Sequence, residues 1–298
     1  MDHSSTVRKG LAIPTSVKAA AKLRTRFRSS GAATSLIGFL LTGTMVLAAL
    51  LAPWLTSYDP NVNSLKDALQ PPSAAHWFGT DHLGRDLFAR VLYGAQKSLF
   101  IALMVQLIAV SIGTLLGLVS GYFGGRVDKW IMGLANVMFS FPGILFAIAI
   151  MAALGPGLVN LFLALGLVTW PEICRLVRAE TISLKQREFV EAGYAMGAST
   201  IRILFRYILP NCYGNIVVLA TLGMATAILA ESSLSFLGLG VQPPDPSWGS
   251  LVGQGKDYMY QAPWYMFIPG MVMFVTILGI NLLGDTLRDW FDPKMRNR

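Results

Sequence analysis

Charge is what this chain has least of. Asp, Glu, Lys and Arg make up 13% of its 298 residues, about half the roughly 25% that a soluble domain carries. Too little polar surface is left to cover a body exposed to water. Hydrophobic residues reach 54%, which excludes a disordered chain as well. With only Cys174 and Cys212 there is no disulfide scaffold, and the two stand too far apart for a zinc pair. Histidine is nearly absent. His3 lies in the N-terminal tail, His76 and His82 in one polar loop, and no His-Glu-x-x-His occurs, so metalloprotease and intramembrane-protease chemistry lack ligands. A nucleotide-binding loop is missing too. The string 253–256 ends in Gly255-Lys256, but position 250 is Ser and Asp257 follows, so neither the glycine cradle nor the magnesium-holding hydroxyl is present. A Gly-x-Gly stands at 238–240, yet Pro243 occupies the place of the third glycine. What remains is a chain whose solvent is the bilayer.

Six apolar runs are long enough to cross about 30 Å of hydrocarbon as helices: 35–55, 98–121, 130–154, 158–177, 216–239 and 264–283. The fourth carries Pro171, Glu172 and Arg175 in its last turns. Continuous runs exclude a membrane barrel, whose strands alternate over about ten residues. The expected fold is all-α, a polytopic membrane bundle of about six transmembrane helices. Its parts are a basic tail (1–34), a first span with a polar loop (35–97), a core domain (98–284) and a short second tail (285–298). Arg8, Lys9, Lys18, Lys22, Arg24, Arg26 and Arg28 precede the first span, with only Asp2 against them. The net charge of +8 and a pI near 9.6 therefore mark a cytoplasmic flank and not a nucleic-acid surface. With both termini cytoplasmic, only Lys66, Arg85, Arg90, Lys97 and Lys256 of 24 basic residues fall on the far side. The tail has some transit-peptide character, but six spans follow it and no small-residue cleavage site closes a short apolar region, which favours a retained signal-anchor.

The cytoplasmic loop 178–210 is the most informative stretch. Phe189, Val190, Gly193, Met196 and Gly197 recur at helical spacing. Gly197 is placed to stop that helix in a left-handed conformation and Ser199 to cap a second one. The second helix sets Arg202 and Arg206 on one face, and Pro210 closes the unit. A helix–turn–helix with one greasy side either rests on lipid or offers a knob to a soluble partner; periodicity alone does not choose. In the far loop, 76–100, Thr80 or Asp81 is placed to cap a helix supported by Asp81 with Arg85 and Asp86 with Arg90, pairs worth about 0.2–0.5 kcal/mol each. That pattern describes a solvated helix. His76 and His82 are ordinary loop residues there, or transient contacts for a transition metal. Glu231, followed by Ser232, Ser233 and Ser235, costs at least about 2.5–3.5 kcal/mol at mid-membrane. It either lines a watery pathway or sits near the far interface, hydrogen-bonded to a neighbouring helix.

The string 191–210 resembles the EAA loop of the permease subunits of ABC-type importers, in which Glu-Ala-Ala is followed after three residues by Gly and, further on, by an aliphatic residue, any residue and Leu-Pro. Glu191, Ala192 and Gly193 stand for the first three, with Met196 directly before Gly197, the motif glycine, and Leu209-Pro210 at the end. Two positions depart: Gly193 replaces the second Ala, and Tyr207 the aliphatic residue. Three further blocks, at 79–86, 234–249 and 281–294, resemble signatures of the peptide/nickel permease subfamily, and the likeness runs from about Trp54 to Lys294.

The resemblance implies a permease subunit of dipeptide/oligopeptide C type, with 191–210 docking a partner ATPase and no catalytic residue, cofactor or metal on this chain. It also implies a second homologous permease subunit, two cytoplasmic ATPase subunits holding ATP-Mg, an external substrate-binding protein and a bacterial or archaeal cytoplasmic membrane. Peptides are the expected cargo. Nickel chelates, which Met138, Met151, Met224, Met271 and Met273 with the two loop histidines keep open, and glutathione are the alternatives. A self-sufficient secondary transporter or channel would show paired intramembrane charges, broken helices or an inverted repeat; Glu231 and kinks at Pro142 and Pro269 are all that the chain offers toward one.

Overall fold

The computed structural model describes residues 15–291, with side chains from residue 33 onward. His3, the basic side chains of the tail and the bases after Phe291 lie outside that range. Eleven helices follow in order among the described residues: α1 (Thr15–Leu50), α2 (Ala52–Leu55), α3 (Leu87–Phe123), α4 (Gly125–Phe139), α5 (Gly143–Leu154), α6 (Leu158–Lys185), α7 (Glu188–Ala195), α8 (Thr200–Arg202), α9 (Leu209–Phe236), α10 (Trp248–Gly255) and α11 (Pro263–Phe291). A π-helical stretch, Ile203–Ile208, joins α8 to α9. No strand occurs among them, only a bridge between Thr80 and Asp86. This is the all-α membrane bundle that the apolar runs predict.

Five helices are long and apolar enough to cross a bilayer, and α4 with α5 makes a sixth crossing only as a bent pair. The expected continuous span over 130–154 is therefore corrected. Residues 140–142 break it, and the two halves meet at 90°. Pro142 stands before Gly143 as the N-cap of α5, where its ring and missing N–H cannot continue a helix. Pro171 and Pro269 sit inside α6 and α11 without ending them.

The direction of each crossing follows from its neighbours. Gly113, Gly117 and Gly121 of α3 face Ile173, Val177 and Thr181 of α6 in the same order, so these two helices run parallel. The α4–α5 pair must then return the chain once between them. Gln106 and Ser98 of α3 meet Gly223 and Glu231 of α9 in reverse order. Thr286 of α11 reaches Ser35 of α1. Residue 35, residue 291 and the segment 186–208 consequently share one end of the bundle, and 56–86 lies at the other.

Glycine sets the central packing. A Cβ at Gly113 would stand 2.6 Å from Ile173 Cβ, one at Gly117 2.8 Å from the Cys174 carbonyl, and one at Gly121 2.7 Å from Thr181 Cβ. Without side chains at those three positions, α3 and α6 approach nearly backbone to backbone, and dispersion holds them where lipid supplies no hydrophobic drive.

At the far end, the expected solvated helix is a buried loop instead. Asp81 and Arg85 do pair (Nε–Oδ2 2.7 Å), but α3 starts only at Leu87. Asp86, neither Thr80 nor Asp81, caps it by accepting from Ala89 N at 2.8 Å. Asp86 also takes His76 Nδ1 at 2.9 Å, so it is not Arg90's partner. Arg90 instead lies 3.3 Å from Asp81 and donates to the Pro60 carbonyl at 2.7 Å. Gly79 and Gly84, both at positive φ, fold the stretch back on itself and turn the carboxylates toward backbone N–H groups and arginines. All four charged residues are buried, a state open to carboxylates and guanidinium groups only when paired. Running unbroken through residue 97, α3 joins this cap to the core.

Candidate functional site

The segment 187–210 forms a knob at the end of the bundle shared by residues 35 and 291. Arg187 is extended before α7, and Glu188 and Glu191 stand in the first turn, where the helix dipole favours acids. Gly197, at φ +76°, ends the helix. Ala198 N donates to the Gly193 carbonyl at 3.0 Å and Gly197 N to the Tyr194 carbonyl at 2.9 Å, the left-handed glycine stop expected from the sequence. Ser199 caps α8 through Arg202 N at 3.4 Å.

The predicted greasy stripe divides in two. Val190 and Gly193 are buried against a cluster that includes Ile203, Leu204 and Ile208, while Phe189, Met196 and Ile201 are exposed, the last two by more than 70%. Adjacent positions on a helix differ by about 100°, so Phe189 cannot share the face of Val190, and Met196 lies beyond the last turn of α7. The result is an apolar patch turned away from the bundle. Glu191, Ala192 and Gly197 are exposed with it. Gly193 is inward, Leu209 half-buried, and Pro210 exposed.

Pro210 does not close the unit, as the sequence suggested; it lies in the first turn of α9. The π stretch before it explains why. Hydrogen bonds to the fifth residue back widen the turn, which suits a residue lacking N–H. Asn211 Nδ2 satisfies the Tyr207 carbonyl at 2.5 Å. Arg202, at the end of α8, and Arg206, in the π stretch, are both exposed.

Glu231 has no exposed surface. Ser235 Oγ donates to it at 2.6 Å, Ser98 Oγ of α3 at 3.3 Å and Ser232 Oγ at 3.4 Å. Ser98 in turn accepts from Trp248 N at 3.2 Å, so the carboxylate ties α9 to α3 and α10. His82 Nδ1 lies 3.1 Å from the Tyr265 hydroxyl, and its ring clusters with those of Tyr258 and Tyr265, while His76 pairs separately with Asp86. Among the described residues, no three His, Cys, Asp or Glu side chains gather to hold a metal.

Sequence reasoning missed two sets of residues. Gly113, Gly117 and Gly121 announce themselves as small residues every fourth place in an apolar run. Asp128, which receives Arg178 at 2.5 and 2.6 Å and Ser120 at 2.5 Å, carries no such local signal.

Residues 113–297 match the model of a family described as binding-protein-dependent transport system inner membrane component, and residues 23–72 that of the N-terminal TM domain of oligopeptide transport permease C. The dipeptide transport system permease protein DppC of Alkalihalophilus pseudofirmus is 44% identical over 263 residues, 88% of this chain and 86% of its own length. The glutathione transport system permease protein GsiD of Escherichia coli is 44% identical over 272 residues, 91% and 89% of the two. In solved structures, the MetNI methionine ABC transporter in an inward-facing form overlaps 68% of this chain and 96% of its own with a TM-score of 0.56; at 19% identity this likeness shows the fold alone.

Proposed function

The chain belongs to the binding-protein-dependent transport system inner membrane components, and on that premise we propose that it forms one half of a pathway for di- and oligopeptides, driven from outside its own sequence. It is a multi-pass permease subunit of an ABC importer for peptide transport and not an enzyme. A second homologous permease supplies the other half, and a substrate-binding protein delivers cargo at the 56–86 end. Two ATPase subunits with ATP-Mg bind the 188–210 end, whose side of the bacterial or archaeal inner membrane is the cytoplasm. The observation that carries this reading is the exposed apolar patch of Phe189, Met196 and Ile201 on a knob whose Val190 and Gly193 are buried against the bundle. A knob resting on lipid would not need the backbone stop at Gly197 that presents Met196 outward.

In this mechanism the ATPase subunits draw together on binding ATP, carry the two knobs with them, and switch the pathway from inward to outward access. The docking residues are Glu191, Ala192, Gly193, Met196, Gly197, Leu209 and Pro210. Glutathione is the second cargo reading, favoured by the 44% identity to a glutathione permease; it is itself a tripeptide, so the pathway chemistry is shared. Deleting 188–200 tests the assignment. Recruitment of the ATPase and uptake are lost together in a partner-driven permease, whereas a channel or secondary transporter still moves solute.

A further inference from the structure

Tyr122 stands where four elements meet. It occupies the last turn of α3 and is buried. The Tyr194 hydroxyl of α7 donates to the Tyr122 hydroxyl at 2.7 Å, and Tyr122 donates onward to Thr200 Oγ1 of α8 at 3.3 Å. From the last turn of α6, Lys185 Nζ donates to the Tyr122 carbonyl at 2.7 Å and lies 5.2 Å from its ring centroid. Among the described residues, these are the only side-chain hydrogen bonds joining α7 and α8 to a span.

The rest of the contact between the knob and α3 is apolar, among Val190, Ile203, Leu118 and their neighbours, and such contact is non-directional and lets surfaces slide. Hydrogen bonds constrain direction. The Tyr194 phenol is pushed up to about 12, by loss of water around its hydroxyl first and the bond to Tyr122 second, so it remains a donor at any physiological pH. Beyond Tyr122 the chain turns at Gly124 and Gly125, both at positive φ, into α4, whose Asp128 accepts from Ser120 of α3 at 2.5 Å. In the other direction, α3 runs 37 residues, about 55 Å, to the buried Asp86 and Arg90 ties of the far cap.

We propose that Tyr122 is the positioning residue that couples α7 and α8 to α3, its hydroxyl relaying between Tyr194 and Thr200 so that displacement of the docking knob enters the spans as displacement of α3. The proposal rests on the reading that 188–210 docks an ATPase. Through α3 the same displacement reaches the far cap, beside the path that α9 offers as the continuation of α8.

Tyr122→Phe isolates the hydroxyl, because the ring, its edge contact with Phe123 and the carbonyl held by Lys185 all remain. The full importer, reconstituted in vesicles with its ATPase and binding protein, is assayed for ATP hydrolysis and for uptake of labelled dialanine. The expected result is a complex that assembles and hydrolyses ATP near the wild-type rate but moves roughly threefold less solute per ATP, the scale of one or two hydrogen bonds. Tyr194→Phe and Thr200→Val shift the ratio in the same direction, and Tyr260→Phe, at a fully exposed ring, leaves it unchanged. A ratio equal to wild type in Tyr122→Phe, or hydrolysis and uptake falling in step, overturns the relay. If that variant does not assemble, Tyr194→Phe decides by the same criterion. Wild type itself tests the underlying reading: no ATPase bound to it overturns docking, and the relay with it. ATPase bound without dialanine uptake overturns the cargo alone, and the relay is then judged by the ATP-driven change in distance between spin labels at the exposed positions Leu47 and Phe100, expected in wild type and diminished in Tyr122→Phe.

Discussion

Gly193 and Ile203 meet without room to spare: a Cβ at 193 would lie 2.9 Å from Ile203 Cδ1, while the Tyr207 ring, at 3.4 Å, stays at ordinary contact distance. The two positions at which the chain departs from the EAA pattern, Gly193 and Tyr207, are thus neighbours in space. Gly193→Ala crowds the Ile203 Cδ1, 2.9 Å from the new methyl group. It is expected to cost about 1 kcal/mol, the low end for overpacking, because a side-chain tip can shift. Ile203→Val in the same chain, which removes that carbon, recovers most of the loss. Thermal unfolding of the purified single and double variants measures the coupling, and strictly additive effects refute it.

The α3–α6 seam makes a sharper demand. Gly117→Ala places a methyl group 2.8 Å from both the Cys174 carbonyl and Val177 Cβ, and backbone cannot yield as a side-chain tip can. A loss of about 1–3 kcal/mol is expected, read as a melting temperature several degrees lower in detergent. Gly133 of α4 has nothing within 4 Å of its Cβ position. Gly133→Ala is therefore neutral or slightly stabilising, by helix propensity. Equal tolerance at both positions would show that the two helices are not in close approach.

His82 makes the far cap sensitive to acid. Burial lowers its pKa below the ordinary 6.5; Asp81 opposes that shift, and Arg85 and Arg90 add to it. The fold thus prefers the neutral ring, hydrogen-bonded to Tyr265 and packed beside the Tyr258 and Tyr265 rings. Between the lowered value and 6.5 the unfolded chain binds more protons, so the contribution of His82 is complete above 6.5 and is lost as pH falls through the lowered value. Melting temperature is expected to fall from pH 7.5 to pH 5 by more in wild type than in His82→Gln. Parallel pH profiles for the two would exclude the effect.

Glu231 distinguishes a tie from a transport group. Gln keeps one acceptor oxygen, and its amide donates to serine hydroxyls that can rotate to accept. Glu231→Gln is expected to fold and to take up solute as wild type does at several pH values. Glu231→Ala leaves the buried hydroxyls of Ser98, Ser232 and Ser235 without their acceptor, at about 1–3 kcal/mol. An uptake rate whose pH profile moves in the Gln variant would instead put the carboxylate on the pathway.

The outcome for each element depends on how local its cause is. The crossings at 35–55 and 264–283 were legible because a long apolar run has no other stable place than lipid. The stop at Gly197 was legible because positive φ is a property of one residue. Asp86 was misassigned to Arg90 because spacing on a helix says nothing about where the helix begins, and the turn at Gly84 starts it later than the pattern suggested. The stripe at Phe189 and Val190 was legible as apolar, but not which of the two would face inward.

Sequence alone determined that this is a helical membrane bundle with a glycine-stopped knob, because hydropathy and backbone freedom act residue by residue. Tertiary structure decided the right-angle break between α4 and α5, the close approach of Gly193 and Ile203, and the junction at Tyr122. The partners in that junction lie 72 and 78 positions away, and a hydroxyl's partner is chosen by packing that no short string of residues contains.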